Sequence, residues 1–190
     1  MKRVDYRDAD TFKKDILFST KLEKFWIKVY LKQICNKYDK IEYEDYGTDN
    51  TGKVTKYATS KADYKIYLFK NKKKIIQKLD VKWGPTKGKV TFKVNSLQNY
   101  IKDGSDILLF YNIGRVSLKK PMNYKLNQHI ELINQNIKNI RYTIIKTSTM
   151  KDILDKYPHE KVWYMGNKLA VTIPECDFYN FWRGKKINEF

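Results

Sequence analysis

The sequence predicts an α/β domain in which a central mixed β-sheet is flanked by helices. Three observations lead there: a helical apolar period over residues 18 to 38, two adjacent strand patterns over residues 64 to 83, and a short apolar strand at 107 to 112 that follows a second helical segment. The chain has 190 residues, enough for one domain with a sizeable core and too few for two full ones at roughly 100 to 200 residues each. With 42% apolar residues and only 8 Gly and 4 Pro, it has the material of a packed interior and not that of a linker or a collagen-like fibre.

The elements follow in order. Leu22, Phe25, Trp26, Val29, Tyr30 and Ile34 recur at three- and four-residue steps with charges between them, so residues 18 to 38 are expected to be helical. Ser19 or Thr20 is the expected cap, with Glu23 three residues after Thr20 in a capping-box position. Ile41-Glu42-Tyr43-Glu44 alternates like a half-buried strand, a polar turn region spans Gly47 to Gly52, and Lys53 to Thr59 is expected to extend a hairpin. Tyr64 to Phe69 and Lys74 to Trp83 read as antiparallel strands joined at Lys70-Asn71-Lys72-Lys73. Gly84, Pro85 and Gly88 break the chain before a short strand at Val90 to Val94 and a short helix that opens at Leu97 and ends near Gly104. After Pro121, residues 126 to 138 and 149 to 157 look helical, and 140 to 146 and 168 to 173 strand-like. The expectation is a single domain over 1-190, with a core at about 19-115 and a C-terminal α/β extension at about 116-190.

Several functions are disfavoured. The longest apolar run, Ile107 to Tyr111, is far below the roughly 20 residues that span a bilayer. Met1-Lys2-Arg3 leads into Asp5, Asp8 and Asp10 and not into an apolar stretch, so no secretory signal or membrane partner is expected and the expected location is cytoplasmic. A zinc site would need all of Cys35, Cys176, His129 and His159, which lack ligand spacing, so the thiols are expected to be buried or partly buried. GxSxG, P-loop and dinucleotide fingerprints are absent from the sequence.

The charge balance is +18, with 39 Lys plus Arg against 21 Asp plus Glu, and a polyanion is the natural partner. Codon bias in an AT-rich genome would raise Lys, Asn, Ile and Tyr, but it would raise Glu and Asp as well. The excess is concentrated: residues 53 to 93 hold 13 lysines and only two acids, Asp63 and Asp80. Such a concentration suits a surface that neutralises phosphates and releases counterions; the alternative is a solvated lysine face on a sheet.

Those two acids carry the candidate chemistry. In Leu79-Asp80-Val81-Lys82-Trp83 the strand period puts Asp80 and Lys82 on one face and Leu79 and Val81 on the other. Asp63 lies at the mouth of the preceding strand and can approach Asp80 across the hairpin. Two carboxylates there can hold one or two Mg²⁺ ions, while Lys82 orients or helps to activate a water attacking phosphorus.

With Ala62-Asp63 as first acid, Asp80-Val81-Lys82 as second motif and Glu23 on the preceding helix, the chain resembles the PD-(D/E)xK nuclease superfamily, which includes restriction endonucleases and archaeal-type Holliday junction resolvases. The order helix, hairpin, helix, strand over residues 19 to 112 is similar to that family's. The resemblance implies a restriction endonuclease-like sheet, metal ligation by Asp63, Asp80 and the Val81 carbonyl with support from Glu23, and stabilisation of the nucleophile or transition state by Lys82. It implies a metal-dependent DNA endonuclease or junction resolvase using Mg²⁺, with Mn²⁺ as a substitute; the composition adds the expectation of a phage or another AT-rich genome as its source. By the same reading Lys72, Lys73, Lys74, Lys87, Lys89 and Gln98 contact nucleic acid, and a homodimer brings two sites to two strands. The departures are Ala62 where a proline is usual, and Tyr100 two residues after Gln98 and not four, so the RecB-like version is not supported.

Other readings stand beside these. Asp80 and Lys82 form a structural ion pair in one; Glu42 or Glu44 replaces Glu23 as third acid in another; Trp83 and Tyr100 stack on bases or belong to the core; Gln98 lies on a helix surface. The rival functions are a non-catalytic nucleic-acid-binding protein and a cationic inhibitor that binds an acidic protein partner.

Overall fold

The computed structural model describes residues 9–47, 61–84, 89–111, 126–163, 166–174, 177 and 185–187. The first helix, α1 (Ala9–Ile34), is longer than expected and is followed by a 3₁₀ turn at Cys35–Lys37. Ser19 and Thr20 therefore lie inside it, Thr20 buried, and no capping box forms. The extension has a physical basis: upstream of Ser19 the helix carries Phe18 edge-on against the buried His129 ring at 5.3 Å, and Asp10 complements the positive helix end. The expected apolar stripe does face inward, where Leu22, Trp26, Val29, Tyr30 and Ile34 are buried. Cys35, expected to be at least partly buried, is exposed, because it comes just after the last residue of that stripe; Cys176 lies outside the described residues.

Three antiparallel strands follow: β1 (Lys40–Asp45), β2 (Tyr64–Lys70) and β3 (Lys73–Trp83). The tight turn between β2 and β3 places Asn71 and Lys72 at φ 50° and 63°, the left-handed pair that matches the twist of a two-residue hairpin. The expected strand at Lys53 to Thr59 falls outside the described residues. Next come β4 (Lys89–Lys93), α2 (Val94–Asp103) and β5 (Asp106–Tyr111), with Gly104 in the left-handed conformation ending α2. Then follow α3 (Leu126–Gln135), β6 (Arg141–Ile145), α4 (Thr147–Lys156), β7 (His159–Val162), β8 (Lys168–Pro174) and β9 (Lys185–Lys186).

The main sheet has the order β1-β2-β3-β5-β6-β9 and is mixed, because β3 and β5 run parallel and the other neighbours antiparallel. A second sheet, β4-β8-β7, pairs a strand from the middle of the chain with two from its last quarter. Residues 126–187 thus build into both sheets: β6 and β9 complete the first, β7 and β8 the second.

Period-two alternation sorts the interior. Tyr64, Ile66, Leu68, Leu79, Val81, Leu108 and Phe110 pack toward α1, where Trp26 stacks on Phe110 at 4.4 Å. Ile107, Leu109 and Tyr111 point to the opposite face and meet α2, α4 and β8. β5 is buried on both faces, which is why it reads as an unbroken apolar run. Leu126, Ile133 and Ile137 pack in the α1 core. No helix among the described residues is long and apolar enough to cross a membrane.

Candidate active site

The β2–β3 register pairs Tyr64 with Leu79. Just beyond the last pair, at the open end of the hairpin, Asp63 comes beside the Asp80–Val81 segment of β3, where Asp80 is on the face turned away from α1. Asp63 is 7% and Asp80 3% exposed. The β2 ladder stops at Tyr64, and the Asp63 carboxylate continues it: Oδ2 accepts the buried Val81 N–H at 2.7 Å. The Asp63 carbonyl in turn accepts the Tyr46 N–H at 2.9 Å, tying the end of β1 to the site. This closeness requires Gly47, where a Cβ would lie 2.8 Å from the Ala62 carbonyl oxygen.

Asp80 is held from two sides. Oδ1 accepts the Tyr100 hydroxyl of α2 at 2.7 Å, and Oδ2 lies 2.5 Å from Lys82 Nζ. Lys82 Nζ also reaches the Val81 carbonyl at 3.4 Å while its side chain stays 41% exposed, so the ammonium stands at the rim with the carboxylates beneath it. Burial pulls its proton affinity down, but the negative charges of Asp80, Asp63 and Glu23 outweigh that and hold it well above the usual lysine range. Lys82 is therefore an ammonium at neutral pH, suited to stabilise charge and not to act as a general base. Burial pushes the Tyr100 hydroxyl far up, so it stays a donor to Asp80.

Tyr100 is positioned by a clamp at the C-terminal end of α2. Lys78 Nζ donates to the Asp103 carbonyl at 2.6 Å and to its Oδ1 at 3.3 Å, the Tyr46 hydroxyl donates to the same oxygen at 3.3 Å, and Ser105 Oγ donates to Oδ2. Sequence alone leaves Tyr100 between base stacking and core and does not display this clamp. The one signal it offers is the spacing of Val94, Leu97 and Tyr100, which puts a hydroxyl on the buried stripe of α2.

Asp63, Asp80, Val81 and Lys82 are brought together. Glu23, part-buried on α1, acts on Lys82 and on the buried Tyr64 hydroxyl through its field. Glu42 is engaged by Lys40 at 2.5 Å and Glu44 by the Tyr67 hydroxyl at 2.6 Å, both exposed on β1. Gln98 is exposed, about 200° around α2 from Tyr100. Lys72, Lys73 and Lys74 are exposed at the far end of the hairpin. Lys89 belongs to β4, and Lys87 lies outside the described residues. Trp83 packs against the α1 core.

Two carboxylates and a backbone carbonyl are hard oxygen donors of the kind Mg²⁺ accepts with several waters retained. The Lys82 ammonium lies 2.5 Å from the buried Asp80 Oδ2 and 3.4 Å from the Val81 carbonyl, so a cation on these two oxygens would take the place that Lys82 holds between them. Among the described residues no three Asp, Glu, His or Cys side chains come close enough to share an ion. Any ion here would rest on the Asp63–Asp80 pair and the Val81 carbonyl. No family model, curated protein or solved structure matches the chain significantly.

Proposed function

We propose that the protein is a metal-dependent phosphodiesterase acting on DNA, built on a restriction endonuclease-like core. The observation that carries this reading is the approach of the Asp63 carboxylate to the Asp80–Val81 segment at the open end of β2–β3, with the Lys82 ammonium on Asp80 at the rim. The order α1, β1, β2, β3, β4, α2, β5, with β3 and β5 parallel, supports it, because apart from β4, which belongs to the second sheet, it is the helix, hairpin, helix, strand order of the PD-(D/E)xK core. The charge of +18 supports a polyanionic substrate.

In this reading Asp63, Asp80 and the Val81 carbonyl would hold Mg²⁺, which when bound would supply a water of lowered pKa and positive charge beside the scissile phosphate. Lys82 donates to the oxygen on which charge develops at phosphorus. Tyr100 keeps the Asp80 carboxylate in one orientation. With one such set per chain, cutting both strands of a duplex calls for two copies related by a two-fold axis.

The test is cleavage of duplex, tailed and junction DNA with Mg²⁺ or Mn²⁺, beside Asp80→Asn. Metal-dependent cutting that disappears in the variant while DNA binding persists is the expected result; equal cutting by both proteins overturns the site. Sedimentation of the DNA-bound protein tests the pairing, since one chain per duplex together with double-strand cleavage contradicts it.

A second reading, a nucleic-acid-binding protein without cleavage, is favoured by one observation. Both Asp80 oxygens already have neighbours, Tyr100 and Lys82, as a structural ion pair requires. Salt-dependent DNA binding with no metal-dependent cleavage on any substrate decides for it.

A further inference from the structure

The face of β1–β3 turned away from α1 is an ordered array, and it leads to the site. Strand register sets its rows: Lys40, Phe69 and Lys74; then Glu42, Tyr67 and Ile76; then Glu44, Lys65 and Lys78. The next row holds Tyr46, Asp63 and Asp80. The second core draws its apolar residues from β4, α2, β5, β6, α4 and β8 and none from these three rows, where α2 engages Lys78 through Asp103. Ile76 is 53% exposed, Lys40 and Lys74 are exposed, and Tyr67 and Phe69 are half-buried.

Charge and aromatics alternate here in a particular way. Lys74 Nζ lies 4.2 Å and Lys65 Nζ 5.3 Å from the centre of the Tyr67 ring, and Lys40 and Lys74 each lie 5.7 Å from that of Phe69. Lys61, Lys65 and Lys78 stand 5.0, 5.8 and 5.3 Å from the Tyr46 ring. Two acids lie on the three rows, Glu42 and Glu44, and both are on the outer strand β1, paired with Lys40 and facing Lys65. The β2 and β3 columns carry only cations and apolar groups until Asp63 and Asp80.

We propose that this face binds unpaired nucleotides of DNA and leads a single-stranded tail to the Asp63–Asp80 site. Bases stack on Tyr67 and Phe69, and Lys40, Lys65 and Lys74 move from ring faces to phosphates. The spacing favours a single strand over a duplex. Tyr67 and Phe69 are two residues apart on one strand, about 7 Å, which is about twice the 3.4 Å rise of stacked duplex bases, so each ring takes a base from a splayed chain. From the Phe69 row to Asp63 is about 20 Å, three such steps, so about three unpaired nucleotides fill the track.

The proposal deepens the nucleic-acid reading of the site but does not depend on cleavage. Its test measures binding, without divalent metal, of a fluorescent poly-dT of about twelve nucleotides, a blunt duplex, and the same duplex with a tail of increasing length. The variants are Tyr67→Leu and Phe69→Leu, which keep apolar bulk and lose the π-face, and Tyr67→Phe, which keeps the face and loses the hydroxyl with its bonds to Glu44 and Lys65; thermal melts check their folding. Expected are losses of roughly five- to a hundred-fold for poly-dT in each leucine variant, less than about two-fold for blunt duplex, and retention in Tyr67→Phe. Wild-type affinity should rise until the tail reaches about three nucleotides. Equal losses on poly-dT and duplex, or none on either, overturn the platform. Asp80→Asn separates the two proposals: cleavage surviving in it removes the nuclease site and leaves the platform, whereas cleavage abolished in it with unimpaired poly-dT binding by the leucine variants does the reverse.

Discussion

The Tyr100 hydroxyl donates to Asp80 Oδ1 at 2.7 Å, joining α2 to β3 at the one strand position that also carries the Lys82 ion pair. Tyr100→Phe removes that donor and leaves a buried carboxylate oxygen short of a partner. The expected cost is about 1 to 3 kcal/mol of stability, and cleavage is expected to slow by roughly ten-fold or more, as when the groups supporting a metal ligand are removed. Urea melts and single-turnover cleavage measure the two effects; unchanged values for both would remove Tyr100 from the site.

Asp63 has two tasks that different substitutions separate. Asp63→Asn retains an oxygen for the Val81 N–H and should fold normally without cleaving DNA. Asp63→Ala leaves that buried N–H unsatisfied and should lower stability by a further 1 to 3 kcal/mol or so. Equal stability of the two variants in denaturant melts would show that the hydrogen bond is replaced by water.

The α2 clamp makes stability depend on acid. Burial raises the Asp103 carboxyl, but the Ser105 hydroxyl, Lys78 ammonium and Tyr46 hydroxyl together bring it below the usual carboxylate range. A group depressed on folding contributes stability that is complete above its unfolded pKa, about 4, and is lost as pH falls through the folded value. Asp103→Asn should therefore cost about 1 to 2 kcal/mol at neutral pH, with the gap to wild type closing in acid. A gap that is the same at both ends of the pH range would mean that the charge of Asp103 contributes nothing.

Lys72 sits at φ 63° without being glycine. Lys72→Gly should raise stability by about 1 kcal/mol, since a left-handed backbone is strained for a side chain with a Cβ. Neutralising Lys72, Lys73 and Lys74 together should weaken binding to all DNA sequences alike and flatten its salt dependence by about 0.9 in slope for each phosphate that is no longer neutralised. Affinity titrations over a range of salt read this; an unchanged slope would make these lysines merely solvated.

The central hairpin is legible in the sequence because Tyr64 to Trp83 alternates strongly and turns at Asn71, so local pattern alone sets Asp63 and Asp80 near each other. Glu23 is legible on its helix, but the start of that helix is not: Ser19-Thr20 before Glu23 has the chemistry of a cap, and only the packing of Phe18 on His129 carries the helix past it. β7 has four residues and β9 two, and they exist through pairing with β8 and β6, a long-range property that no window of sequence displays. Tyr100 is hidden as a functional group for a similar reason. Its ring marks it as core, and only the tertiary fold points its hydroxyl at Asp80.

The double burial of β5 bears on solubility. Asp106–Tyr111 is a six-residue segment, Asp-Ile-Leu-Leu-Phe-Tyr, whose one charge is at its start, and β6 occupies the edge that β3 leaves open. A chain in which residues 141–145 have not yet docked presents that edge unpaired on an apolar strand, a template for pairing between molecules. The later part of the polypeptide thus acts as a guard against aggregation, and substitutions that loosen β6 should appear as insolubility on expression before they appear as lost activity.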